Sequence, residues 1–234
     1  QEIHSAALRR QVKALPDQPG VYLFRGSEGG LLYVGKALGL RKRVGSYFRV
    51  SEKLNPRLQR LVRRIRKLEV QRTTSEAEAL LLEARLIKEH HPPFNVSLRD
   101  DKAYPMLKIT REIFPRLVVT RRRLRDGAVY FGPYTDAGLM HAAVRFMRHV
   151  FPLRTCKRFP KTPCLEYHLG QCLAPCVDYI SETRYQKIVD DCLAFLEGKR
   201  ERLLRDLSKR MEQASKRRRF EEAARLRDKI QALT

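Results

Sequence analysis

Two tyrosines near the start of the chain lie where a β-hairpin can bring their phenols together. Tyr22 and Tyr33 each belong to a short β-rich run, and the glycine-rich stretch 26–30 between the runs suits a hairpin turn. Near-opposite residues of a two-stranded ribbon lie roughly 5 Å apart. The two phenols are therefore expected to flank one small site, in a register that the sequence leaves open.

Cationic side chains follow the second of these runs. The chain is expected to turn helical after Gly35, with Leu40 and Val44 as an apolar pair. At helical spacing Lys36, Arg43 and Tyr47 then share one face if the helix begins early enough. That face would be cationic and would carry a third phenol.

A carboxylate lies on the apolar side of a later helix, which Ser75 and Glu78 open as a capping box. The inward stripe of this helix comprises Leu80, Ala84 and Ile87, and Glu83 falls on the same stripe. Burying an unpaired carboxylate costs several kcal/mol, so a partner is expected. The residues leave two partners open: a salt bridge with Arg43 or Lys36, or Mg²⁺, which commonly uses one carboxylate with phosphate and water. Asn95 is expected to hold Glu83 or a phosphate through its amide, or to cap a turn.

The charge of the whole chain indicates a polyanionic partner. Its 234 residues include 49 Lys and Arg against 26 Asp and Glu, a formal net charge of +23, and 43% are hydrophobic, which is enough for a core. A folded surface with this surplus attracts nucleic acid through counterion release. An anionic membrane is the competing partner, but the sequence has no run of about 18 apolar residues and nothing at its start resembles a signal peptide.

Two basic stretches are expected to contact phosphates. One is the outer face of a helix opened by Asn55-Pro56, which carries Arg57, Arg60, Arg63, Arg64 and Lys67. The other is the run Arg121-Arg122-Arg123, in a small unit of three short strands and a helix that contains no evident catalytic constellation.

Four cysteines cluster in a loop-rich stretch, and a fifth lies apart. Cys156, Cys164, Cys172 and Cys176 occur among prolines and a glycine, which indicates a metal site in a reducing cytoplasm. Zinc and an iron–sulfur cluster fit the spacing almost equally, and a pair of disulfides is the third alternative. His168 is the one plausible substitute ligand. Cys192 falls in a helical pattern and is interpreted as core.

The last part of the chain predicts two amphipathic helices from about Lys199, separated by a basic turn near Lys216 to Arg219. A hairpin this short buries too little surface to be stable alone. It is therefore expected to dock, either on a partner or on its own domain.

The ordered set of residues resembles the GIY-YIG endonuclease family. The likeness rests on Tyr22 in Gly-Val-Tyr, on Tyr33-Val34-Gly35-Lys36, and on Arg43, Tyr47, Glu83 and Asn95. Within that family the chain is similar to the UvrC-type nucleases of bacterial nucleotide excision repair. This similarity continues through residues 130–134 and through the four cysteines, and Phe220 to Asp228 resembles the UVR motif.

The resemblance implies hydrolysis of one phosphodiester bond on the 3′ side of a lesion in double-stranded DNA. Glu83 would hold Mg²⁺ or Mn²⁺ against the scissile phosphate, and Arg43 would help to neutralise the phosphoryl oxygens. It also implies a [4Fe–4S] cluster at the four cysteines and UvrB as the partner of the C-terminal hairpin. The second, RNase H-like nuclease of full-length relatives is missing from this sequence.

Roles for the remaining polar residues follow from the same resemblance. Tyr33, or Tyr22 in its place, would orient or deprotonate the attacking water. A phenol with a pKa near 10 is a poor base at neutral pH, unless Lys36 or a metal-bound hydroxide lessens the need for the phenol to take a proton from water. Tyr47 and Asn95 would support the substrate.

These observations predict an α+β fold built from consecutive pieces. They are an N-terminal helix (1–14), a GIY-YIG domain with a small sheet flanked by helices (15–99), a β-plus-helix unit (100–154), a Cys-rich iron–sulfur region (155–198) and a UVR helical hairpin (199–234). The predicted function is that of a metal-dependent DNA endonuclease in the cytoplasm. The competing classes are a non-catalytic adaptor that binds DNA and a partner, and a generic RNA-binding protein.

Overall fold

The computed structural model describes residues 6–49, 55–95, 104–134 and 136–234. The chain divides into two compact units, Gln1–Asp101 and Lys102–Thr234. The predicted boundary between the pieces 15–99 and 100–154 lies outside the described residues. The small antiparallel sheets and their flanking helices confirm the predicted α+β class.

The described residues of unit 1 form a three-stranded antiparallel sheet and four helices. In chain order they are α1 Ala6–Lys13, β1 Gly20–Arg25, β2 Leu31–Ala37, α2 Leu40–Arg49, α3 Pro56–Arg64, β3 Lys67–Arg72 and α4 Glu76–His90. The strand order is β2-β1-β3, which leaves β2 at one edge of the sheet.

The two faces of this sheet bury different cores, because side chains alternate along a strand. Tyr22 and Phe24 of β1 join the larger core, which includes buried residues of α1, α2 and α3. Val21 and Leu23 point to the other face and pack against α4. The sheet therefore separates α2 from α4.

The prediction that the chain turns helical after Gly35 is wrong. Strand β2 continues to Ala37, and α2 begins at Leu40. Lys36 is therefore a strand residue and does not share a helical face with Arg43. Continued pairing explains the difference, because Gly35, Lys36 and Ala37 each have a register partner on β1.

The helix caps in unit 1 form where the sequence predicts them. Asn55 accepts a hydrogen bond from the Leu58 amide at the start of α3. At the start of α4 the Ser75 hydroxyl accepts from the Glu78 amide. The Glu78 carboxylate closes the box one residue early, since it accepts from the Thr74 amide and hydroxyl. Satisfying these N-terminal donors sets where each helix begins.

Unit 2 contains a second antiparallel sheet followed by helices. Its elements are β4 Met106–Ile109, β5 Leu117–Thr120, β6 Val129–Phe131, α5 Ala137–Val150, α6 Leu165–His168, a 3₁₀ turn Pro175–Val177, α7 Glu182–Leu196, α8 Arg200–Lys216 and α9 Phe220–Leu233. The strand order is β5-β4-β6. The four predicted cysteines lie in the mostly irregular stretch between α5 and α7.

The C-terminal hairpin of α8 and α9 packs on its own unit. Asp191 of α7 accepts hydrogen bonds from Arg210 of α8 and Lys229 of α9, each at 3.0 Å. Arg200 at the start of α8 donates to the backbone carbonyls of Leu233 and Thr234. The hairpin is thus closed at its base and anchored through one acidic residue.

Cys192, next to Asp191, is fully enclosed in this packing, as predicted for a core residue. Its burial raises the pKa of the thiol to about 12. None of the helices in the described ranges combines the length and the apolar composition that a membrane span requires.

Candidate active site

Three tyrosines meet on the α2 side of the first sheet. The ring centroids of Tyr22, Tyr33 and Tyr47 lie 5.8 to 6.3 Å apart. The hydroxyls of Tyr22 and Tyr47 are hydrogen-bonded at 2.9 Å. The predicted meeting of the two hairpin phenols is confirmed, and Tyr47 of α2 is the third member.

The strand register explains how these rings fit. Tyr22 lies opposite Gly35 on β2, and Tyr33 lies opposite Phe24 on β1. A Cβ at Gly35 would lie 2.4 Å from both Cζ and Oη of Tyr22 and 2.9 Å from Tyr33 Cε1. Gly35 is therefore the gap in β2 that admits the Tyr22 ring, because any larger residue would overlap it.

Burial holds the phenols in their neutral form. It raises the pKa of Tyr22, and nearby phenolate charge on Tyr33 or Tyr47 would raise it further. The pKa of Tyr33 is also raised, first by burial, then by Tyr47 and by the negative charge of Glu83. Both groups are therefore proton-bearing phenols at neutral pH.

Arg43 lies beside this tyrosine cluster at the surface. Its guanidinium carbon is 5.6 Å from the centroid of the Tyr47 ring, one helical turn later on α2. The neighbouring Tyr22 phenol raises the pKa of Arg43. The exposed Arg43 guanidinium is thus a permanently charged cation beside the three tyrosines.

Glu83 reaches the free edge of β2 from the opposite helix. Its Oε1 accepts a hydrogen bond of 2.9 Å from the backbone amide of Lys36. The Lys36 ammonium lies 3.8 Å from Glu76, one of the first residues of α4. The sequence predicted a partner for the half-buried Glu83 carboxylate, and a backbone amide of the edge strand is one of its partners.

Asn95 occupies the next position along the same edge. Its Oδ1 accepts from the Val34 amide at 2.9 Å, and its Nδ2 donates to the Val34 carbonyl at 2.8 Å. The Phe94 amide donates to the carbonyl of Leu32. The segment 94–95 therefore continues the sheet pairing where β2 would otherwise be open. Sequence analysis predicted that Asn95 would hold Glu83 or a phosphate through its amide, or cap a turn. In the structure both polar atoms of that amide bond the backbone of Val34.

Two arginines of α3 border this edge segment. Arg57 donates to the Asn95 carbonyl at 2.8 Å, and the Arg64 guanidinium lies 5.7 Å from the centre of the Phe94 ring. Arg60 and Arg63 are exposed on the same helix. The predicted basic face thus lies next to the segment that holds β2.

The available donors suit a magnesium ion that takes most of its ligands from water and substrate, and not an ion held entirely by protein side chains. Among the described residues, no group of three or more His, Cys, Asp or Glu side chains is arranged to hold a metal. Mg²⁺ in phosphoryl-transfer sites is commonly bound by one or two carboxylates, with water and substrate phosphate as its other ligands. A single carboxylate at Glu83, oriented by the Lys36 amide and with its charge acting on the Tyr33 phenol, fits this pattern.

The four clustered cysteines of unit 2 are near neighbours with free thiols. Cys172 is buried, and Cys156, Cys164 and Cys176 are partly buried. Burial raises the pKa of Cys172 most, and negative charge on the other three raises it further. The charges of these thiols therefore act on one another, although among the described residues they are not grouped in a way that would hold a metal ion.

A buried polar network holds the first of these cysteines. Arg154, 4% exposed, donates to the backbone carbonyls of Phe114 and Cys156 and pairs with Glu112. The Tyr185 hydroxyl donates to the Pro115 carbonyl and accepts from the Arg154 amide. Sequence reasoning missed Arg154 and Tyr185, since one arginine among many in a basic chain carries no local signal of burial.

Comparison with known proteins gives consecutive matches along the chain. The UvrC-like GIY-YIG domain matches residues 18–96, the UvrC/Cho excinuclease middle domain matches 104–195, and the UvrB/uvrC motif matches 201–233. The crystal structure of the GIY-YIG N-terminal endonuclease domain of UvrC from Thermotoga maritima, bound to magnesium, is 34% identical. It covers 39% of this chain and 99% of its own, with a TM-score of 0.36.

Two curated relatives extend the likeness to nearly the whole chain. The UvrABC system protein C of Moorella thermoacetica is 46% identical over 97% of this chain, and that of Desulforudis audaxviator is 49% identical over 95%. The match spans 37% of the length of each of these relatives. With family matches to both units and to the hairpin, the chain belongs to the UvrC family.

Proposed function

We propose that this chain is the metal-dependent endonuclease part of a bacterial nucleotide excision repair protein, which makes the incision 3′ of a lesion in double-stranded DNA. The observation that carries the proposal is the position of Glu83. Its carboxylate is anchored at the β2 edge by the Lys36 amide, and its charge acts on the Tyr33 phenol. This arrangement supports an acid and a phenol acting on the same phosphate.

The surrounding cations support a phosphodiester substrate. Arg43 borders the tyrosine cluster, while Arg57 and Arg64 border the segment at 94–95. Guanidinium groups bind phosphate oxygens through charge-assisted hydrogen bonds. A DNA strand bound here would therefore meet several guanidinium groups.

The chemistry divides among residues with fixed positions. We assign Glu83 as the ligand of Mg²⁺ or Mn²⁺, an ion that would supply charge neutralisation at the phosphoryl oxygens when bound. Arg43 would bind the same oxygens and stabilise the charge that develops on them. Lys36 would act through its backbone amide, which orients the Glu83 carboxylate.

The tyrosines divide into a water-orienting phenol and its support. We assign Tyr33 to the attacking water, because it is only half-buried, whereas Tyr22 is fully enclosed. Its raised pKa makes Tyr33 a hydrogen-bonding group for the water in preference to a base in the isolated protein. Tyr22 and Tyr47, hydrogen-bonded to each other, support the ring of Tyr33. Asn95 holds the strand that carries Tyr33.

A matched pair of variants on α4 tests the proposal. Glu83→Gln preserves shape and removes the charge, and we expect nicking of lesion-containing duplex DNA with Mg²⁺ to fall at least about 100-fold. Glu89→Gln removes an exposed carboxylate from the same helix and should leave nicking unchanged. An unaltered rate in Glu83→Gln would defeat the enzyme assignment and favour the non-catalytic adaptor. RNA binding at least as tight as duplex DNA binding, at matched salt, would favour an RNA-binding protein.

We also propose a [4Fe–4S] cluster at Cys156, Cys164, Cys172 and Cys176, with zinc as the alternative. Four free thiols in one mostly irregular segment support it, because thiolates are the ligands of both groups. The free thiols also support a cytoplasmic location. Metal analysis of protein purified without oxygen tests the proposal. About four irons per chain with visible absorption is the expected result, and one zinc per chain would reject the cluster.

The C-terminal hairpin is proposed to bind UvrB. Beside the turn, α8 and α9 form a concave apolar surface that includes Met211, Phe220, Ala223 and Ala224, and Phe220 is 66% exposed. An exposed aromatic beside small residues suits a second helical hairpin. Phe220→Ala should weaken UvrB binding at least tenfold in a pull-down or calorimetric titration, while DNA binding is retained. Equal UvrB affinity in the variant would contradict this surface.

A further inference from the structure

The β5–β6 connection of unit 2 concentrates arginines on one exposed loop. This arginine loop comprises residues 121–128. Its four arginines are all exposed, and in the described part of the chain none of them is paired with a carboxylate: Arg121, Arg122, Arg123 and Arg125. The loop is thus a dense patch of guanidinium groups that are available to an external anion.

The shape of the arginine loop is set by its single acid. Asp126 accepts hydrogen bonds from the Lys108 ammonium, the Tyr130 hydroxyl and the Ala128 amide. The Tyr130 oxygen also accepts from the Leu124 amide. The Lys108 ammonium balances the charge of Asp126 and lowers the pKa of its carboxyl. Hydrogen bonds from β4 and β6 thus fix the loop before any ligand arrives.

A fifth arginine reaches the loop from the β4–β5 connection. The Arg111 side chain crosses Gly127, where a Cβ would lie 2.7 Å from Nη1 of Arg111. Gly127 has φ of +71°, a conformation that favours glycine. Arg111 therefore adds its charge to the same end of the sheet.

The loop also carries one exposed apolar side chain. Leu124, between Arg123 and Arg125, is 57% exposed. Proteins that bind DNA grooves frequently combine arginines with an apolar side chain that contacts the bases. A single leucine is too small an apolar area to hold a membrane surface, which normally requires a whole amphipathic face.

We propose that the arginine loop binds the phosphate backbone of duplex DNA and gives unit 2 a DNA contact of its own. Guanidinium groups match phosphate oxygens bidentately, and a preformed loop loses little conformational freedom on binding. The identity of the polyanion as DNA rests on the proposed function. The loop has no role in hydrolysis.

The test uses the full chain without divalent metal, so that binding is measured apart from cleavage. The variant replaces Arg121, Arg122 and Arg125 with Gln and leaves Arg123, which lies over the Tyr130 ring. A plot of log K against log salt has a negative slope, and each lost phosphate contact reduces the magnitude of that slope by about 0.9. We expect the magnitude of the slope to decrease by about 2 to 3 and the affinity for DNA at low salt to fall at least tenfold.

A control with the same charge change replaces Arg184, Arg205 and Lys209 with Gln. These three residues are exposed on α7 and α8. We expect this control to change the slope by less than about 1. Equal slopes for the two triple variants would overturn the proposal, as would loss of binding to phosphatidylserine vesicles with unchanged DNA binding. Nicking is assayed separately with Mg²⁺. A chain that fails to cut DNA there but shows the expected slope change here would refute the proposed function and leave the DNA contact of the loop in place.

Discussion

The side-chain amide of Asn95 brackets the backbone of Val34, accepting from its amide and donating to its carbonyl. Two residues along the same strand, the Lys36 amide donates to Glu83. One edge strand therefore links the asparagine to the carboxylate. Because both attachments act on β2, the position of the proposed catalytic acid depends on how well that edge is held.

Asn95→Ala should destabilise unit 1 and slow nicking. Two hydrogen bonds to Val34 are lost, which costs about 1 to 3 kcal/mol in urea unfolding. Asn55→Ala is the matched control, because it removes the N-cap of α3 at a similar cost of about 1 kcal/mol. We expect nicking to fall at least tenfold only in Asn95→Ala, measured where both variants are folded. A comparable loss in the two variants would mean that Asn95 contributes stability alone.

Gly35→Ala should disrupt the tyrosine cluster. The added methyl would overlap the Tyr22 ring across the strand pair, and overpacking of this kind costs about 1 to 3 kcal/mol. Gly30→Ala is the control, since a Cβ there would contact nothing within 4 Å and should change stability by less than about 0.5 kcal/mol. Thermal unfolding of both variants checks the prediction, and equal midpoints would contradict the close approach.

The buried phenols should make unit 1 sensitive to alkali. Burial raises the pKa of Tyr22 above its ordinary value of about 10. Above that value the unfolded chain loses a proton that the folded chain keeps, so stability falls as pH rises; below it this group contributes no pH dependence. Tyr22→Phe should therefore be less stable at pH 7, through loss of the bond to Tyr47, yet lose less stability between pH 10 and 11. Urea midpoints across that range test this, and an undiminished decline in the variant would refute it.

Asp191→Asn should release the hairpin from its unit. The change leaves Arg210 and the partly buried Lys229 without their carboxylate. Removing one member of a partly buried ion cluster costs about 2 to 4 kcal/mol. Asp228→Asn is the control, because its pair with Arg227 is exposed on both sides and contributes less than about 1 kcal/mol.

Hydrogen exchange of α8 and α9 is the decisive measurement for this pair of variants. We expect faster exchange in Asp191→Asn and unchanged exchange in Asp228→Asn. Protection that is identical in the two variants would show that apolar packing alone holds the hairpin.

Local signals in the sequence predicted most of the secondary structure. Asn55 and Ser75 begin their helices where expected. The end of β2 was misjudged, because residues 35–37 continue the strand only through pairing with β1, a partner that no local window contains.

The residues of the candidate site were named by sequence and arranged by tertiary structure. The order of Tyr22, Tyr33, Arg43 and Glu83 along the chain, together with its resemblance to the GIY-YIG family, was enough to select them. Sequence alone did not reveal that Glu83 is attached to a strand edge or that Asn95 supplies the missing pairing. Hydrogen bonds from side chain to backbone across 47 and 61 residues depend on which strand is left unpaired, and only the folded sheet decides that.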